Sequence, residues 1–129
     1  MRDAMKYPLL LVCLAILGAG TAQAQCLKPM PGQRAEGRLT IGRFSDAAGR
    51  RETAYILRLV KRACLDDAED SEARKGTRRI HVFSPDDATA RKMRRLVGRK
   101  VVVIGEPFGQ HTAHHHAPIV MTVSDIGRR

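Results

Sequence analysis

Four of the five histidines in this 129-residue chain lie within six residues, at His111, His114, His115 and His116. Imidazole is the most common transition-metal ligand in proteins, and its charge changes close to neutral pH. In an extended segment His114 and His116 project to one side and His115 to the other, while His111 can join the first pair across a turn. Two or three imidazoles that converge in this way suit Zn, Cu or Ni.

A closed four-ligand metal site needs one more group, for which His81 and Glu106 are the candidates. The spacing H-x-x-H-H-H matches no well-specified metal motif, so other roles of the cluster stay open. In one of them His114 or His115 hydrogen-bonds the end of the domain while the other imidazoles are solvated. In the others the cluster responds to pH or binds an anion.

The first 24 residues have the features of a secretory signal peptide. Arg2 and Lys6 precede an apolar run from Leu9 to Ala19, and residues 22–24 (Ala-Gln-Ala) fit a small-x-small cleavage site. The apolar run is about half as long as a membrane-spanning helix. We therefore expect cleavage after Ala24, a periplasmic or secreted location and no retained transmembrane segment.

Cleavage after residue 24 removes Cys13 and leaves the pair Cys26 and Cys64. In an oxidising compartment an even pair of cysteines usually forms a disulfide. Neither cysteine lies in a C-x-x-C motif, the spacing typical of a catalytic or metal-binding pair. The sequence therefore predicts a disulfide bond between Cys26 and Cys64.

The chain is strongly basic, with 23 Lys and Arg against 13 Asp and Glu and a formal net charge of +10. Cleavage of the signal peptide removes two basic residues and one acidic residue, so the mature chain has a net charge of +9. Five of the cations lie on the predicted helix or just after it: Arg91, Arg94, Arg95, Arg99 and Lys100. They form either a solubilising helix exterior or a docking surface for an anionic envelope component or an acidic protein.

The composition argues against nucleic-acid binding and against catalysis. The mature chain has four aromatic residues, most of them at strand positions that predict core packing: Phe44, Tyr55, Phe83 and Phe108. Single-strand binders use several exposed rings. There is no serine elbow, no pair of carboxylates at positions expected to face a cleft and no glycine-rich phosphate loop, so we expect a protein that is not an enzyme.

Hydrophobic alternation predicts five strands and one helix in the order β-β-β-α-β-β within a single domain, residues 37–127. Residues 25–36 contain two prolines and a glycine and predict an irregular leader. Ser84 and Pro85 predict the start of the helix, with the serine as its cap. Asp66 to Arg79 is expected to contain a solvated loop.

One helix between the third and fourth strands is the layout of an OB-fold, a small five-stranded Greek-key barrel, in which the first strand pairs with the fourth. The sequence thus predicts a mainly β, OB-fold-like barrel. A five-stranded sheet with one packed helix in another topology is the alternative.

Several motifs resemble the bacterial domain-of-unknown-function family 4431: Gly37-Arg-Leu, Tyr55-Ile-Leu-Arg-Leu, Cys64, Leu96-Val-Gly-Arg-Lys-Val-Val-Val-Ile-Gly105, Phe108, Thr112, His114-His115 and Val120-Met-Thr-Val-Ser-Asp-Ile126. Members of this family are exported and have no assigned activity, so the resemblance implies a compartment and a compact β-rich domain but no catalytic residue. The chain departs from the family at Glu106-Pro107, where the proline is expected to end the fourth strand early.

These features predict an exported, non-catalytic binding module of the cell envelope. The alternative is a periplasmic transition-metal-binding protein that uses the cluster from His111 to His116, with Zn, Cu or Ni as its cofactor.

Overall fold

The computed structural model describes residue 18 and residues 25–129, so the predicted signal peptide otherwise lies outside the described residues. The described part contains, in chain order, β1 (Gln25–Leu27), β2 (Gln33–Ser45), β3 (Arg51–Leu65), α1 (Ser71–Lys75), β4 (Thr77–Phe83), α2 (Asp87–Leu96), β5 (Lys100–Gly109) and β6 (Ile119–Arg128). None of the helices described is both long and apolar enough to cross a bilayer.

The five long strands form a closed barrel. β2 lies between β3 and β5, β6 joins β5 to β4, and β4 pairs with β3 to complete the circle. All these pairs are antiparallel except β4–β6, which is parallel. The strands predicted as first and fourth correspond to β2 and β5, and their antiparallel pairing confirms the mainly β, OB-fold-like barrel.

β2 changes partners along its length, and Gly37 lies where the change occurs. Residues 33–38 pair with β5, whereas residues 37–45 pair with β3, so the strand curves from one side of the barrel to the other. A Cβ atom at Gly37 would overlap the backbone carbonyl of Arg58 on β3. Glycine at this position therefore permits the close approach of the two backbones that the curvature requires.

The core fills the interior of the barrel with side chains that alternate along each strand. Leu39, Leu57, Ile80, Val101 and Met121 are examples of its fully buried members. The end of the barrel is covered by α2. Its predicted apolar face is confirmed, because two of the side chains, Thr89 and Met93, are buried and the other two, Leu96 and Val97, pack against the core.

The cap of α2 is Asp86 and not the predicted Ser84. The carboxylate of Asp86 accepts a hydrogen bond from the backbone N–H of Thr89 at 2.8 Å, while Ser84 Oγ accepts one from Asp86 at 3.3 Å. The helix begins two residues later than expected because aspartate at the N-cap also interacts favourably with the helix dipole.

The structure contains strand residues in the predicted leader and a helix in the predicted loop. β1 and the first four residues of β2 lie within residues 25–36, because the prolines and Gly32, whose φ is +81°, are confined to the turn between them. The predicted loop contains α1, which is capped by Asp70 and anchored by the buried Ala73.

The fourth predicted strand does not end at Pro107. β5 continues to Gly109, and Pro107 pairs with Met121 of β6. β5 has β2 as a second neighbour only as far as Gly105. Pro107 lies beyond that point, where the side of β5 that β2 had occupied has no strand partner. A proline without an N–H donor therefore disrupts no ladder on that side.

The predicted disulfide is present. Cys26 of β1 and Cys64 of β3 are register partners in a short parallel ladder, and their sulfurs are bonded. The bond attaches the first described residues to the barrel and closes a segment with a sequence separation of 38.

Replacing both cysteines with serine should lower the free energy of unfolding by about 2–4 kcal/mol, because the bond restricts the unfolded chain. Urea denaturation with and without reductant measures this change. Reductant should shift the midpoint of the mature wild-type chain towards that of C26S/C64S and leave C26S/C64S itself unchanged. Equal midpoints for the wild type and C26S/C64S under oxidising conditions would contradict the prediction.

Gly37→Ala should destabilise the barrel by at least about 2 kcal/mol, since the added Cβ meets backbone that cannot move aside. Gly127→Ala on β6 is the matched control, because nothing lies within 4 Å of the position its Cβ would occupy. We expect its unfolding midpoint to stay close to that of the wild type in the same urea experiment. Similar midpoints for the two variants would show that the approach at Gly37 is not a constraint.

Candidate functional site

The histidine loop, residues 110–118, joins β5 to β6 and lies on the outer wall of the barrel. Ile56 and His81 are partners across β3 and β4, and both alternate with core residues, so their side chains face away from the interior. Yet Ile56 is only 4% exposed and His81 9%, while Ala117 of the loop is also buried. The loop therefore covers the outer wall at this point.

Glu52 holds the loop against the wall. This residue of β3 lies opposite Phe44 of β2, and its carboxylate accepts hydrogen bonds from Nδ1 of His114 at 2.8 Å and from Nε2 of His116. Hydrogen bonds from His114 and then His116 lower the pKa of Glu52 below its ordinary value. The carboxylate is thus ionised at neutral pH and accepts both bonds.

The ring of His116 contacts two other rings. It stacks on Phe44 with a centroid separation of 4.1 Å and an interplanar angle of 4°, and the ring of His81 is 5.8 Å away. The backbone N–H of His116 donates to Nδ1 of His81 at 3.2 Å. Four contacts from three strands therefore position this one loop residue.

His81 remains neutral at physiological pH. Burial, followed by the neighbouring His116 and His115, lowers its pKa from 6.5 to about 4. The neutral ring is also what the hydrogen bond requires, because Nδ1 must be unprotonated to accept the N–H of His116.

His111 and His115 form a second group around Phe108. The backbone N–H of His111 donates to Nδ1 of His115 at 3.0 Å, and the two rings lie 4.6 Å apart. Both rings also lie against Phe108, at 5.5 and 5.3 Å. Burial and the adjacent His111 lower the pKa of His115 below its ordinary value.

The rings make a continuous patch, which we call the ring cluster: Phe44, His81, Phe83, Phe108, His111, His115 and His116. The prediction that most of the four aromatic residues pack in the core is wrong for Phe44, Phe83 and Phe108. They lie on the outer wall, and Phe83 is 37% exposed. Of the four aromatic residues of the mature sequence, Tyr55 is the one that packs against the core.

The predicted metal ligands are divided between the two groups. His114 and His116 share one side, as their spacing predicts, but His111 joins His115 and not that pair. Glu106, one candidate for a fourth ligand, is exposed on β5, whereas the carboxylate next to the histidines is Glu52. Within residues 25–129, no three His, Cys, Asp or Glu side chains are arranged to hold a metal ion.

A shallow open groove next to the ring cluster contains exposed cations. Arg43 and Arg51 line it together with Phe44, Glu52 and Thr53. Both arginines alternate with Phe44 and Glu52 along the β2–β3 ladder, so their side chains leave the hairpin on the face opposite the ring cluster. The neighbouring turn is rigid, because the carboxylate of Asp46 accepts hydrogen bonds from the backbone of Ala48 and Arg50 and pairs with the Arg50 side chain. This groove and the ring cluster lie between the turn at 46–50 and the histidine loop.

The predicted anion-binding residues form a separate surface on and after α2. Arg91, Arg94, Arg95, Arg99 and Lys100 are all exposed. In the described chain Lys92 of the same helix pairs with Asp125 at 3.6 Å, but none of those five cations has an acidic partner within 4 Å. Gly98 and Arg99, just after the helix, contact Leu39 of β2, which is five residues or roughly 17 Å along the strand from Phe44.

Sequence reasoning did not identify Glu52 or Phe44 as site residues. One signal was available, because a turn at 45–51 between two strands places Phe44 opposite Glu52. Nothing local, however, indicates that the loop 60 residues later lies over this pair.

A family model described as a domain of unknown function, DUF4431, matches residues 79–127. This range runs from β4 through α2 and β5 to β6, and it contains the histidine loop and the cations of α2. The match confirms the predicted resemblance over those residues, while residues 37–78 lie outside it. None of the curated proteins compared with the chain matches it.

Acid should destabilise the folded protein through His81. The unfolded chain takes up this proton near pH 6.5 and the folded protein only near 4, so the free energy of unfolding falls as the pH decreases through that range. The lowered pKa of Glu52 acts in the same direction at lower pH. We expect a loss on the order of 1–3 kcal/mol between pH 7 and 4.

Urea denaturation across this range and an NMR titration of the His81 ring measure the two quantities. His81→Asn keeps a hydrogen-bond acceptor and removes the titration, so its stability should depend less on pH. A His81 titration midpoint near 6.5 would contradict the burial of this ring.

Proposed function

We propose that the barrel, of which residues 79–127 match the model of the domain of unknown function DUF4431, is a non-catalytic binding module of the cell envelope. The observation that carries this proposal is the ring cluster on the outer wall, next to a groove at the end of the β2–β3 hairpin that exposed arginines line. OB-fold barrels bind oligosaccharides and oligonucleotides on this wall, between the loops that correspond to residues 46–50 and 110–118.

The chemistry of the groove favours an anionic ligand with flat faces. Exposed ring faces such as that of Phe83 can stack on the C–H face of a sugar, and the guanidinium groups of Arg43 and Arg51 suit carboxylate or phosphate. The predicted signal peptide and the disulfide between Cys26 and Cys64 favour an exported protein. We therefore propose an acidic glycan of the cell envelope as the ligand.

The rigidity of the site supports binding without catalysis. The Glu52 carboxylate is engaged by two imidazoles, and His81 accepts a backbone hydrogen bond. A general acid or base needs a free proton position that can reach a substrate. The contacts of these groups instead order a loop, and an ordered surface loses less entropy on binding.

The mature chain, residues 25–129, should bind polygalacturonate but not the neutral polymer dextran in calorimetric titrations. Affinity should fall by about tenfold or more between 50 and 200 mM salt, because arginines release counterions from the polymer. Phe83→Ala should weaken binding about fivefold and leave the salt dependence unchanged. Arg51→Ala should weaken binding and also reduce the salt dependence.

Two controls locate the surface. Val60→Ala changes an exposed apolar side chain outside the ring cluster and should bind like the wild type. The triple variant R91A/R94A/R95A tests the surface of α2. If that variant loses binding while Phe83→Ala and Arg51→Ala retain it, the ligand contacts the helix and the proposed face is wrong. Equal binding of dextran and polygalacturonate would also contradict an anionic ligand.

A further inference from the structure

A second cavity, of about 300 Å³, lies where β2 and β3 separate. The ladder between these strands ends at the pair Gly37 and Leu59, and β1 becomes the neighbour of β3 only from Ala63 onward. Residues 60–62 of β3 therefore have no ladder partner on this side. The gap leaves a recess in the wall of the barrel.

The floor of the cavity is part of the barrel core. Leu27, Ala35, Leu59 and Ala63 line it, and all four belong to the main core cluster. An apolar group that enters here would contact core side chains and not a superficial patch. Each methylene group buried in this way contributes roughly 0.8 kcal/mol.

The rim of the cavity is cationic. Its charged residues are Arg34, Lys61, Arg62, Arg129 and the single acid Glu36. Glu36 pairs with Arg129 and, at 3.7 Å, with Arg34. Arg62 donates to the carbonyl of Gly76, and Lys61 has no ion-pair partner within the described residues. One carboxylate therefore faces four cations, which leaves an excess of positive charge at the mouth.

We propose that this cavity binds a small amphipathic anion, with its acidic head at the cationic rim and a short apolar tail on the core floor. Charge complementarity selects the head, because a neutral or cationic head would leave the excess positive charge uncompensated. The volume selects a short tail, since 300 Å³ holds roughly ten non-hydrogen atoms at about 30 Å³ each. A medium-chain fatty acid such as octanoate has this size.

The cavity is independent of the proposed glycan face. Its β2 residues, 34–36, precede Phe44 by at least eight positions, roughly 26 Å along the strand, and the register partner of Arg34, Ile104, precedes Phe108 by four positions, roughly 13 Å. A ligand at one site would not contact the other, so the two proposals can fail separately.

NMR titration of the mature chain with octanoate tests the site. Octanoate should shift the methyl signals of Leu27, Leu59 and Ala63 with a saturable curve in the sub-millimolar range. Octanol lacks the charged head and acetate lacks the tail, so each should bind at least about tenfold more weakly. Signals of the ring cluster should stay unchanged.

Two charge-reversal variants test the rim, because Lys61→Glu and Arg34→Glu each place an acid where the head would lie. Both should weaken octanoate binding by at least about tenfold. Arg94→Glu makes the same change of charge on α2 and should bind octanoate like the wild type. Equal affinities for octanoate and octanol, wild-type binding by Lys61→Glu, or no saturation at 5 mM octanoate (about tenfold above the expected constant) would each overturn the proposal.

Discussion

The carboxylate of Glu52 is the contact on which the candidate site depends. It accepts hydrogen bonds from two residues of the histidine loop, His114 and His116, which are separated from it by more than 60 positions in the sequence. With these bonds in place, His116 can stack on Phe44 and donate its backbone N–H to His81. Without these bonds, little would stabilise a loop of polar and titratable side chains on the wall of the barrel. The first role of the histidines is thus to hold the loop beside the phenylalanine rings of the outer wall.

The path of β2 connects this site to the rest of the barrel. At its second half the strand pairs with β3 and brings Phe44 opposite Glu52, while its first half turns away to β5 at Gly37. The same change of partner opens the cationic cavity at the other end of the β2–β3 ladder. One glycine therefore affects both the closure of the barrel and the placement of two surfaces. The proposed glycan face and the cavity therefore share a scaffold and no side chains.

The order of strands and the helix could be predicted from the sequence because both depend on local periodicity. Alternation identified the five barrel strands, and the i, i+4, i+7 pattern from Thr89 to Leu96 identified α2. Even the disulfide followed from the number of cysteines left after residue 24. These features need information from fewer than about 15 neighbouring residues, apart from the cysteine pairing.

The site itself could be predicted only in part. The histidines were visible as a cluster, and the shared side of His114 and His116 followed from their spacing. Their partners were not visible, because Glu52 and His81 come from other strands and meet the loop only after the barrel has closed. Phe44 and Phe83 were misplaced for a related reason. Alternation tells which residues share a face but not which face is interior, and at these positions the loop covers the outer wall.

Chemical-shift mapping with a short oligomer of galacturonate tests the central claim, that the outer wall between residues 46–50 and 110–118 is the ligand-binding face. An oligomer covers less of the protein surface than the polymer, so its shifts report the contact residues more narrowly. The account predicts shifts for Arg51, Phe83, Phe108 and His111, with none on the arginines of α2. Shifts confined to Arg91, Arg94 and Arg95, or no shifts at saturating oligomer, would contradict it.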